Sequence, residues 1–83
     1  MKFNELKFEE CFDGVQALID FPNGYEVSVV KNGLSYGNDK GLYEIGVFKG
    51  EPMVDPLGWG DTVKGWLTPE LVEKELALIA KLP

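Results

Sequence analysis

The chain contains no histidine and no arginine, and its only cysteine is Cys11. Without histidine it has neither the usual general base nor the commonest metal ligand, and no side chain that ordinarily titrates near neutral pH. Without arginine it lacks the planar fork that reads phosphates and base edges bidentately. A single cysteine excludes an internal disulfide and suits a reducing cytoplasm, with Cys11 read as a small apolar residue near the core. No apolar run approaches the roughly 20 residues of a membrane-spanning helix, so no membrane partner is expected. The opening Met1-Lys2-Phe3-Asn4-Glu5 shows no apolar stretch or cleavage site of a secretory signal.

The basic side chains are eight lysines against fourteen carboxylates, for a net charge of −6, and they are scattered from Lys2 to Lys81. A polyanion repels such a chain, so direct nucleic-acid binding is not expected. Mimicry of DNA toward a basic protein is compatible with the charge. What is present is the material of a folded domain: 45% hydrophobic and 12% aromatic residues in 83 positions, enough for one domain over residues 1–83 and one core.

The segment Phe3 to Phe12 is read as a short helix capped by Asn4 and carrying Leu6, Phe8, Cys11 and Phe12, although Phe8 to Cys11 also tolerates an extended form. Val15, Ala17, Ile19 and Phe21 alternate, Pro22-Asn23-Gly24 supplies turn chemistry, and Tyr25, Val27 and Val29 alternate again opposite Glu26 and Ser28. That is a β-hairpin. Asn32 to Gly41 is a loop, and Leu42 to Lys49 is extended with Tyr43, Ile45 and Val47 on one face. Gly46 on the opposite face predicts a bulge or a close neighbour. Met53-Val54 is read as a short edge strand, and Leu57 to Leu67 as a loop or single turn over the sheet. Thr68 caps a helix with Pro69 at its first position, and Val72, Leu76 and Ile79 form its apolar stripe with Leu71, Leu78 and Leu82 beside them. Together these elements predict an α+β fold: an antiparallel sheet of three to four strands, a hairpin then a meander, with the C-terminal helix on one face.

Glu75 falls inside the apolar arc of that helix, where a carboxylate is either a perturbed acid or partner contact, or a rim residue reaching water beside a lysine. Asp55 and Asp61 bracket a glycine-rich loop and Asn38-Asp39 lie in the other, but neither matches the spacing of a calcium loop. Asp61 more simply braces a turn. Gly33 to Gly41 has no phosphate-cradle motif, and Ser28 and Ser35 have no histidine to activate them. No catalytic residue, cofactor or metal is expected, and the chain is not read as an enzyme. Tyr36, Trp59 and Trp66 lie in or beside glycine-rich segments, off the alternating strand faces. Trp66, next to the helix start, is expected to plug the core. Tyr36 and Trp59 stand between core and interface, and aromatics of these types carry much of the energy of protein interfaces. The residues assigned to partner contact are Tyr36, Trp59, Asp39, Asp61 and Glu75.

The phrases Asn23-Gly24-Tyr25, Ser28-Val29-Val30, Ser35-Tyr36-Gly37, Gly41-Leu42-Tyr43-Glu44 and Val63-x-Gly65-Trp66-Leu67-Thr68-x-Glu70 resemble short bacteriophage-encoded proteins of uncharacterised function. The resemblance runs from about Asn23 onward and does not extend before Gly14. It implies a product made in the cytoplasm of an infected bacterial host and brings no catalytic residue with it. On these grounds the expected function is binding and modulation of a host protein by occlusion, of an anti-CRISPR-like kind, the partner having a basic nucleic-acid-binding surface. Tyr36 or Trp59 would anchor the contact. The alternative is a self-associating structural or accessory phage protein, such as a homodimer, without a host target. A third reading, an enzyme or small-ligand binder, requires Tyr36, Trp59 and Glu75 to converge on one pocket.

Overall fold

A computed structural model describes residues 2–11, 13–33 and 35–83. Phe12, expected on the N-terminal helix, lies outside the described residues, as do the side chains of Cys11 and Asn38. Five strands, β1 (Glu9–Cys11), β2 (Gly14–Asp20), β3 (Tyr25–Lys31), β4 (Tyr43–Lys49) and β5 (Val63–Leu67), are followed by helix α1 (Pro69–Ala80). The sheet is an antiparallel meander in the order β1-β2-β3-β4-β5.

The hairpin forms where the alternation and the turn chemistry coincide. Phe21 N–H donates to the Tyr25 carbonyl at 2.8 Å and Gly24 N–H to the Phe21 carbonyl at 3.0 Å. Gly24 sits at φ +92°, where any side chain is strained. The inward set of β2, β3 and β4, comprising Ala17, Ile19, Val27, Val29, Ile45 and Val47, is buried under α1 together with Leu67, Val72, Leu76 and Ile79. Burying each of the larger of these side chains stabilises the fold by roughly 1.5–3 kcal/mol before entropy is charged against it. The helix begins where expected: Thr68 Oγ1 accepts from Leu71 N–H at 3.3 Å, with Pro69 at the first position. Leu71 and Leu78, expected beside the stripe, are exposed.

Five expectations are corrected. The sheet has five strands, not three to four. The N-terminal segment does not form the favoured helix: Phe3–Glu5 is a 3₁₀ turn and Glu9–Cys11 is strand β1, so Phe8 to Cys11 takes the extended alternative. Its aromatic rings decide this: Phe3 and Phe8 both pack on Tyr43, at 5.0 and 5.7 Å between centroids, while Glu9–Cys11 finds ladder partners in Gly14–Gln16. Met53 makes only an isolated bridge to Phe48. Finally, the stretch read as a loop up to Leu67 ends in β5, and Trp66 does not plug the core. Between the pairs Ile45–Lys64 and Tyr43–Leu67, β4 has one intervening residue, Glu44, and β5 has two, Gly65 and Trp66. This β-bulge hides the period-two pattern, carries Trp66 to φ +62° and leaves it 52% exposed, while Leu67 takes the core position.

Candidate functional site

Two faces of the sheet offer side chains, and they differ in charge. On the helix side, Glu75 of α1 is only 7% exposed. A buried carboxylate needs partners. It has two: Lys64 Nζ donates to Oε1 at 2.9 Å, and the Trp59 indole N–H donates to Oε2 at 3.3 Å. Trp59 is held there by Asp55, whose two carboxylate oxygens accept from Trp59 N–H at 2.7 Å and Gly60 N–H at 2.9 Å. Asp55 thus braces the loop at its start. The Asp61 carboxylate accepts from Thr62 N–H at 2.6 Å and is exposed. Asp39 is exposed in the 3₁₀ turn Asn38–Lys40.

The other two strand lysines are also on the helix side. Lys31 lies 5.2 Å from the Tyr43 ring centroid. Lys49 lies 4.1 Å from that of Tyr25 and donates to the Asn23 carbonyl at 2.8 Å. Each lysine of the strands is therefore engaged on this face, by an aromatic ring or a carboxylate.

The outer face has no helix over it. The register places Glu9, Gln16, Val30 and Glu44 in one row across the strands, Leu18, Ser28, Gly46 and Val63 in the next, and Asp20, Glu26 and Phe48 in the third. Among the described strand residues of this face there are four carboxylates and no lysine. Between them lies an apolar strip. Leu18 is 63% exposed, Val30, Phe48 and Val63 are half-buried, and Met53 reaches across Gly46, where a Cβ would come within 2.9 Å of its Cε. Gln16 Nε2 donates to Ser28 Oγ at 2.7 Å, so the small buried polar group in the middle is satisfied.

Tyr36 stands at the β5 end of the first row, on this outer side. Its N–H donates to Glu44 Oε2 at 3.2 Å and its carbonyl accepts from Trp66 N–H at 3.3 Å. Gly65 is what lets it approach, since a Cβ there would fall 2.4 Å from the Tyr36 Cβ. The structure therefore brings Trp59 and Glu75 together with Lys64 under the helix, and sets Tyr36 on the opposite side of β5. The three do not converge, and no enclosed cavity is found among the described residues.

Trp66 was not foreseen as a surface residue, because the bulge that exposes it leaves no periodic trace. The acidic face was foreseeable in part: it is the complement of the core alternation, as Glu26 and Ser28 already indicate. Its extension to Glu9 and Glu44 needs the strand register. No protein-family model, curated protein or solved structure matches the chain. No helix among the described residues is long and apolar enough to cross a membrane.

Proposed function

We propose that this chain is a small acidic binding protein whose outer sheet face docks on a basic surface of a partner protein and occludes it. The observation that carries the reading is the sorting of charge across one sheet. Lys31, Lys49 and Lys64 are engaged on the helix side, whereas Glu9, Asp20, Glu26 and Glu44 surround a partly exposed apolar strip on the other. A face of one sign steers a partner of the opposite sign and rejects like-charged surfaces, while the apolar strip supplies area to bury. A groove that binds nucleic acid is a natural target because its basic charge is already arranged for a polyanion. The resemblance to bacteriophage-encoded proteins favours a host protein as that target and an anti-defence, anti-CRISPR-like role. Self-association through this face is disfavoured, since two copies stacked face to face bring carboxylates against carboxylates.

The test is affinity capture by tagged protein from bacterial lysate at low and at moderate salt, with an Asp20→Asn, Glu26→Gln variant alongside. The expected result is one stoichiometric basic protein, weakened by salt and by the variant. Capture that is indifferent to both salt and variant, or a stable oligomer of the chain with no partner, contradicts the reading.

A further inference from the structure

The chain sorts its aromatic rings as it sorts its charges. Tyr25, Tyr43 and Trp59 are half-buried on the helix side, and each is faced by a lysine of the chain itself, Lys49, Lys31 and Lys64 respectively. Tyr36 and Trp66 are 59% and 52% exposed, and among the described residues neither ring receives a lysine or stacks on another ring.

Their placement is built, not incidental. The two backbones are joined by the bond from Trp66 N–H to the Tyr36 carbonyl. Two glycines make that approach fit. A Cβ on Gly65 would meet the Tyr36 Cβ at 2.4 Å, and one on Gly37 would meet the Trp66 Cα at 3.0 Å. Trp66 occupies the left-handed region at φ +62°, a conformation that suits glycine or asparagine and is strained for a large side chain. Strain of this sort, on an exposed aromatic, points to a role outside the fold. The Glu44 carboxylate accepts from the Tyr36 N–H and provides a negative charge beside Tyr36, whose carbonyl in turn holds the Trp66 backbone.

We infer that Tyr36, Trp66 and Glu44 form the anchor of the docking face, a receptor for an arginine side chain projecting from the partner. The guanidinium plane stacks on an exposed ring while its N–H groups reach the carboxylate. Arginine fits better than lysine because it is planar, more weakly hydrated and able to stack and donate at once. This inference rests on the reading of the outer face as a docking surface and names its specificity element. It replaces Trp59, whose indole is committed to Glu75, with Trp66.

The experiment is a titration of the ¹⁵N-labelled intact protein with an oligoarginine peptide, an oligolysine peptide of equal length and a neutral glycine–serine peptide. The two indole N–H signals, Trp59 and Trp66, are distinguished by a Trp66→Gly variant, a residue suited to the local φ. The account expects the Trp66 indole and the Tyr36, Gly65 and Glu44 amides to move, the Trp59 indole to stay, and oligoarginine to bind about fivefold or more tightly than oligolysine. Trp66→Gly and Tyr36→Ala should each remove that preference, and retained amide signals elsewhere will show that both variants are folded. If both cationic peptides bind equally and shift Asp20, Glu26 and Leu18 but not Trp66, the arginine receptor is wrong and the acidic docking face stands. If neither cationic peptide moves the outer face at low salt, both are wrong.

Discussion

At the scale of single residues, Trp66 and the Lys64–Glu75 pair are where energy and role separate. Trp66→Gly relieves the left-handed backbone strain but loses the contacts of the buried half of the ring, while Trp66→Ala loses the contacts and keeps the strain. The glycine variant is therefore expected to be the more stable of the two by about 1 kcal/mol, measured by urea denaturation. The reverse order would mean that the bulge does not hold Trp66 at positive φ. The ion pair is asymmetric as well. Glu75 is buried and Lys64 has a side chain 43% exposed. Removing the lysine strands a buried carboxylate with only the Trp59 indole, and Lys64→Ala is expected to destabilise by about 2–3 kcal/mol. Removing the acid frees a cation that already reaches water, so Glu75→Ala should cost about 1 kcal/mol in polar terms. Equal losses in the two variants would argue against a buried acid held by one exposed base. A carboxylate in an apolar arc left burial or a rim position beside a lysine open for Glu75, but the sequence could not show that it is both buried and paired, or that the lysine is Lys64. The wheel position is local information, whereas Lys64 and Trp59 arrive from other elements.

At the scale of elements, the parts of the chain with clean periodicity or strong punctuation were readable, and the irregular ones were not. Strands β2, β3 and β4 and helix α1 follow from alternation, from Pro22-Asn23-Gly24 and from Thr68-Pro69. Strand β5 was missed because its bulge sets Lys64 and Leu67, three positions apart, on the same face. For strand β1 the extended form was only an alternative to a helix, because three residues carry too little pattern and the choice depends on Phe3 and Phe8 meeting Tyr43. Asn23 was readable as a turn residue only. In the structure its Oδ1 accepts from Tyr25 N–H at 3.2 Å, and its Nδ2 donates to the carbonyls of Ile79 and Leu82 at 2.9 Å each, closing the C-terminal end of α1 onto the hairpin. Asn23→Ala should therefore destabilise by about 1–2 kcal/mol, through two lost hydrogen bonds and a weakened turn, although the Ile79 carbonyl still accepts from Leu82 N–H. Asn23→Asp should be worse by roughly a further 1 kcal/mol, because a carboxylate then faces carbonyl oxygens at the negative end of the helix. Thermal or urea unfolding of the two variants checks the order. An aspartate variant as stable as the native chain would show that the side-chain amide is not a donor to the helix.

At the scale of the whole molecule, a net charge of −6 says little until the register shows where the charge lies. The strand lysines lie on the helix side of the sheet, each engaged by a ring or by Glu75, and the outer face is left acidic around Leu18, Val30, Phe48, Met53 and Val63. The account makes binding depend on that position and not on total charge. Asp20→Asn, Glu26→Gln neutralises two outer-face carboxylates. Glu10→Gln, Glu70→Gln neutralises two on the side of the helix, since Glu10 pairs with the inward-facing Val15 and Glu70 lies in the first turn of α1. Each double variant changes the net charge from −6 to −4, two carboxylates being removed in both. The most direct measurement is the affinity of these two variants for the captured partner at low salt, and again at about 1 M salt, where the Debye length is roughly 3 Å. The account predicts about tenfold or greater weakening for the outer-face variant, near-native affinity for the other, and convergence of all three proteins at high salt. Equal weakening by both variants would contradict it, because binding would then follow the charge of the molecule and not the face that carries it.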